Sequence, residues 1–163
     1  MMTAFINSIN IYHQGEWIEQ SIYAHSFKNV EWQPSNSAYF PFAEMLRNQI
    51  ETLIDTINPS AVVRFGPRLK FQGQIMGGGC INRGQICVSL CSSFHPLETL
   101  RHELFHSVFD LLTDEEKSIL NDDEETLAKA FESRESVAYS DNLEFFLMVE
   151  SGDIFKRDRD FLS

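Results

Sequence analysis

Cysteine, positive charge and long apolar runs are all scarce in this chain, and each scarcity excludes something. Three cysteines in 163 residues (Cys80, Cys87, Cys91) are too few, and odd in number, for a disulfide framework. They favour a reducing compartment. Thirteen bases against 24 acids argue against nucleic-acid binding, which needs clustered Lys and Arg to neutralise phosphates. No apolar run approaches the length of a membrane span, and Met1 to Ile11 has neither a basic start nor an unbroken apolar stretch. A cytoplasmic protein without membrane association is expected, with leaderless secretion of an effector left open. Internal repeats and low-complexity tracts are also lacking.

What is present is an ordinary globular composition, 43% hydrophobic and 23% charged, and a length that suits one domain over residues 1–163. Residues 1–90 are neutral overall, so the whole net charge of -11 lies in residues 91–163, where 18 acids face 7 bases. Eight of those acids fall between Asp110 and Glu125, against Lys117 alone.

Alternation around His13-Gln14-Gly15-Glu16 predicts a hairpin from Phe5 to Tyr23. Val30 to Phe40, with Pro34, Ser35, Asn36 and Ser37, reads as a loop. Pro41 suits a first helical turn, and Leu46, Ile50, Leu53 and Ile57 give that helix an apolar face until Asn58-Pro59 stops it. Ala61–Phe65 and the stretch around Leu69, Phe71 and Ile75 read as two strands. Ile86, Val88 and Leu90 alternate in a third, from Gln85 to Cys91. Ser92, Ser93 and Pro96 announce the best-defined helix, which carries Leu97, Leu100, Leu104, Val108 and Leu111. Thr113-Asp-Glu-Glu116 is a capping box. Short helices follow through Leu127, Ala128 and Phe131 and over Leu143–Val149, with a charged tail from Lys156.

Inside the best helix stands His102-Glu103-Leu104-Phe105-His106. Two histidines four apart share a helix face and can reach one zinc ion, and Glu103 beside them can act on a metal-bound water without being a ligand. A catalytic zinc takes a third protein ligand. Glu125, Glu132 and Glu135 on the following helix are candidates, since His13, His25 and His95 all precede the motif. Asp110 and Asp141 are candidates to orient the liganding imidazoles, and Tyr139, Arg134 and His95 to stabilise an oxyanion. Cys87-x-x-x-Cys91-x-x-x-His95 is no rival site, because strand residues four apart stand roughly 13 Å apart.

With H-E-x-x-H and no H-x-x-G-x-x-H continuation, the chain resembles the zincin metallopeptidases and, among them, the gluzincins, whose third ligand is a downstream glutamate. Several small members, lethal-factor-like toxin proteases among them, carry that ligand in an E-x-x-A-x-x-F pattern. Glu125-Thr-Leu-Ala128-Lys-Ala-Phe131 is similar to it. Glu135-Ser-Val-Ala138 offers the same start but has Asp141 where the pattern is apolar. The resemblance therefore implies His102, His106 and Glu125 as zinc ligands, Glu135 as second choice for the third, and Glu103 as general base in peptide-bond hydrolysis. Asp122-x-x-Glu125 also fits a capping box in which Glu125 merely starts its helix, and Glu132 and Glu135 suit a solvated face.

The implied fold is α+β and zincin-like. It has a small twisted mixed sheet, a backing helix (Pro41–Ile57), the active-site helix, and short C-terminal helices. Residues 1–40 form a hairpin and loop, 41–138 the core, and 139–163 a last helix and tail. The cleft edge would be a strand at about Gln72–Ile81, where Gly77-Gly78-Gly79 either keep a peptide's approach open or form a flexible loop. Protein or peptide substrates with basic segments fit the acidic region. Two other classes remain open: a non-catalytic acidic binding or inhibitor module with an accidental or vestigial H-E-x-x-H, and a zinc hydrolase for non-peptide amides.

Overall fold

A computed structural model describes residues 7–23, 30–35, 44–75, 78–82, 85–92 and 94–162. The N-terminal hairpin forms from β1 (Ser8–His13) and β2 (Glu16–Ser21), with Ile11 opposite Ile18 and Tyr12 opposite Trp17. Gln14 and Gly15 both take positive φ, 49° and 83°, as the tightest hairpin turns require.

Val30–Gln33, read from sequence as the start of a loop, is instead strand β3. It pairs antiparallel with β5 (Arg68–Phe71), and its Trp32 is buried. Pro41, the expected helix start, lies outside the described residues. The helix itself, α1 (Glu44–Ile57), buries Ile50, Ile54 and Ile57 and ends at Asn58 as expected.

Strand β4 (Val62–Gly66) runs at Pro67 into β5, and β5 turns at Gln72-Gly73 into the short β6 (Gln74–Ile75). The expected edge strand at Gln72–Ile81 is thereby split. Positive φ at Gln72 and Gly73 makes a turn there, and the edge strand proper is β7 (Gly79–Asn82). It pairs antiparallel with β8 (Gln85–Ser89).

Two sheets result. The first has five strands in the order β2-β1-β4-β8-β7, mixed because β4 and β8 run parallel; the second is β3-β5-β6, all antiparallel. The chain crosses between them at Gly66, where a Cβ would lie 2.4 Å from the Trp32 ring, so only glycine fits beneath the indole.

Strand β8 is buried on both faces. Ile86 and Val88 join a core with Tyr12, Phe65 and the helices, while Cys87 points into a second cluster with Ile9, Trp32 and Leu69. Cys87 is thus a buried free thiol that packs as a small apolar side chain.

Helix α2 (Pro96–Phe109) is capped by His95, whose Nδ1 accepts from Leu97 N at 3.1 Å, with Pro96 in the first turn. Helix α3 (Asp114–Ile119) opens with the expected reciprocal Thr113–Glu116 capping box. Helix α4 (Glu124–Ser133) is capped by Asp123, which accepts from Thr126 N at 2.8 Å. The expected Asp122–Glu125 box is therefore off by one residue, and Glu125 lies inside the first turn with its carboxylate not used as a cap. Helices α5 (Val137–Asp141), α6 (Leu143–Glu150) and α7 (Asp153–Leu162) complete the chain. The last replaces the expected charged tail, because Ile154 and Phe155 are buried. The fold is α+β with a small mixed sheet, and none of the described helices is long and apolar enough to cross a membrane.

Candidate metal centre

Helix α2 is anchored in two ways. Leu100, Leu104, Phe105 and Val108 enter the core, and Arg101, only 4% exposed, lies among them with its guanidinium over the Phe131 ring. Its guanidinium donates to Phe131 O at 3.0 and 3.1 Å and to both carboxylate oxygens of Glu150 at 2.9 Å. Such a bidentate, charge-assisted pair is geometrically exacting. It ties α2 to both α4 and α6.

With that face committed, His102 and His106 stand on a neighbouring one beside α4, their Nε2 atoms 3.2 Å apart. Two nitrogens on one tetrahedral zinc at its usual bond length stand roughly 3.3 Å apart. Glu125 closes the group. Its two oxygens lie 3.0 Å from His102 Nε2 and 3.0 Å from His106 Nε2. Ligand atoms of His102, His106 and Glu125 all fall within 4.8 Å of one another, and no other group of three such residues does so among the described residues. A donor set of two imidazole nitrogens and a carboxylate fits zinc.

Glu135, the second choice, is exposed just beyond α4, where Arg134 turns the chain with φ 60°. It stands outside this group.

The far nitrogens are also engaged. His102 Nδ1 is 3.0 Å from Glu132 Oε1, and His106 Nδ1 is hydrogen-bonded to Glu124. An ionised carboxylate only accepts, so with a metal on the Nε2 side each Nδ1 would carry the proton and each Nε2 would present its lone pair. This corrects two expectations. Asp110 and Asp141 do not orient the imidazoles, and Glu132 is not on a free solvated face. The signal for Glu132 was its seven-residue spacing from Glu125, two turns along one side of α4. Glu124 carried no separate signal beside its neighbour.

Glu103 is 9% exposed. Burial pushes its carboxyl up to about 7, with Glu125 and Glu132 pushing the same way and His106 opposing. Burial pulls the His106 imidazole down, but the Glu124 hydrogen bond and the charges of Glu103, Glu124 and Glu125 outweigh it and leave it raised.

Glu103 borders two cavities. One, about 550 Å³, lies on the His106 side; the other, about 380 Å³, lies on the His102 side beside Gly78, Gly79, Phe94 and Lys129. A Cβ on Gly79 would sit 2.5 Å from Cys87 O and 2.8 Å from Thr99, so the glycine lets β7 lie close against α2. This supports an edge strand over a flexible loop at Gly79, with Gly78 a bend just before it; Gly77 lies outside the described residues.

None of the three suggested oxyanion donors borders either cavity. Arg134 is paired with Glu150, Tyr139 is stacked on Phe146, and His95 caps α2. Lys129, on the His102 side, was not foreseen.

Comparison with protein-family models, with curated proteins and with solved structures finds no match to this chain.

Proposed function

We propose that this chain is a zinc-dependent peptidase with a zincin-like fold, in which His102, His106 and Glu125 hold the metal and Glu103 is the general base. The convergence of both Nε2 atoms on the Glu125 carboxylate, beside a buried Glu103 on the same helix, carries this reading. The resemblance to gluzincins and the antiparallel edge strand β7 beside the cleft support it.

Zinc held by these residues supplies Lewis acidity, which makes water a nucleophile near neutral pH and polarises a scissile carbonyl. The rest is done by the protein. Glu132 and Glu124 hold the Nδ1 protons of His102 and His106 and so fix both rings. The Glu103 carboxylate takes a proton from the attacking water and returns it to the nitrogen of the departing amine. An extended peptide can hydrogen-bond to β7, the last strand of its sheet among the described residues, beside the His102-side cavity.

Metal analysis combined with a broad peptide-library digest tests the reading. One tightly held zinc per chain and cleavage that disappears in Glu103→Gln are expected. A chain that takes up no zinc on titration overturns it in favour of an acidic binding module. Zinc binding without cleavage of any library peptide shifts it to a hydrolase for other amides.

A further inference from the structure

The two cavities that meet at Glu103 differ in charge. The His102-side cavity has Lys129 on its wall. The His106-side cavity is bordered by the carboxyls of Glu103, Asp110 and Glu124, by the His106 ring, which Glu124 already holds, and, among the described residues, by no lysine or arginine. Two of its neutral polar side chains, Asn58 and Ser107, are already hydrogen-bonded. Asn58 Nδ2 donates to Ser107 Oγ at 3.0 Å, Asn58 Oδ1 accepts from Ser60 N at 3.2 Å, and Ser107 Oγ donates to Leu104 O at 2.6 Å.

With Asn58 and Ser107 so engaged, the donors of a cationic ligand find the carboxylates. Nine-tenths buried and bordering the cavity, Glu103 takes no hydrogen bond among the described residues. The volume falls in the range of small-ligand sites.

We propose that the His106-side cavity receives a positively charged side chain of the substrate, with Asp110 and Glu124 as its charge-selecting residues. This rests on the peptidase reading for the word substrate, and the test separates the two. A guanidinium or ammonium entering from this side gains up to two charge-assisted contacts and offsets the repulsion among carboxylates clustered round the metal centre. Glu124 is already shared with His106, which leaves Asp110 as the residue whose charge is free to read the ligand.

The test is a binding titration on the full chain, followed through backbone amide resonances, with acetyl-arginine amide and acetyl-norleucine amide as probes. The arginine probe should shift the amides of Asn58, Ser107 and Asp110 saturably, and the norleucine probe should not. Asp110→Asn should weaken arginine binding about fivefold, the effect of losing one partly exposed charge pair. Asp110→Lys should abolish it. Lysine at a helix C-terminus suits the helix dipole, so that variant should fold.

Equal binding of the two probes, absence of saturable shifts at the cavity, or an Asp110→Lys variant that still binds arginine overturns the proposal. In parallel, peptides carrying Arg, Ala or Glu at single positions report on turnover. Cleavage with no preference for Arg, or a preference unmoved by Asp110→Lys, overturns the charge pocket and leaves the peptidase reading standing. If no peptide is cleaved but the arginine probe binds as described, the peptidase reading falls and the pocket stands.

Discussion

Glu125 faces both imidazoles at 3.0 Å, while Glu135 lies beyond the helix end. Glu125→Ala should therefore lose zinc, and Glu135→Ala should bind it as tightly as the parent; competition with a chromogenic chelator measures both. The outer carboxylates have a graded effect. Glu132→Gln keeps the shape but weakens the hold on the His102 Nδ1 proton, so zinc affinity should fall about 10- to 100-fold. Glu103→Gln separates the roles differently. It should leave zinc content unchanged and lower kcat by roughly 10²- to 10⁴-fold, the usual share of a general base. Metal content by mass spectrometry beside single-turnover kinetics distinguishes these outcomes.

At the scale of elements, α4 delivers three of the carboxylates at the site and depends on one cap. Asp123→Ala should cost about 1 kcal/mol in urea denaturation and loosen zinc binding as well, since Glu124 and Glu125 sit in the turn it organises. The clamp between α2 and α6 predicts an acid response. Burial pushes the Glu150 carboxyl up, but the hydrogen bonds and charges of Arg101 and Arg134 pull it further down, leaving it below its ordinary value.

A carboxylate depressed on folding stabilises above its unfolded pKa, roughly 4.3, and that contribution is lost as pH falls through the folded value. Denaturation midpoints should therefore drop below about pH 4.5, and Glu150→Gln should be less stable than the parent near neutrality while showing less of this acid loss.

The elements legible in the sequence were those whose period or cap chemistry is self-contained: the Gln14-Gly15 hairpin, α1, α2 and the Thr113 box. β3 escaped because four residues between polar stretches give only Val30 and Trp32 as apolar signal. Its pairing with β5 is a long-range contact. The turn at Gln72-Gly73 hid within an apparently continuous alternation. Asp122 and Asp123 are adjacent and chemically identical, so only the backbone shows which one caps. The H-E-x-x-H triad was readable because its spacing is the helix period. The Arg101 clamp was not, because its partners lie 30 and 49 residues away.

For the whole molecule, the acidic excess and the proposed metal site are one electrostatic problem. Glu103, Glu124, Glu125 and Glu132 crowd two imidazoles, so the metal-free protein should be less stable than the zinc form and more salt-sensitive. Free zinc at 100 times its dissociation constant should add about 2.7 kcal/mol. Calorimetry with and without chelator checks this, and raising the ionic strength should narrow the gap by screening the metal-free form.

Helix α3 buries none of its residues, although it lies in the chain between the two helices that converge on the centre. His106 and Glu125 are 19 residues apart, and the α2–α4 packing, with Phe105 against Phe131 at 5.6 Å, does not pass through the intervening backbone. A zinc ion there would act as a cross-link across that loop, removing conformational freedom from the unfolded chain much as a disulfide does. The covalent connection is then mechanically redundant. A single protease cut between Asp114 and Ile119 should leave two fragments that co-migrate as one folded particle while zinc is bound. Removal of the metal should then let them part at a lower denaturant concentration than the intact chain needs to unfold.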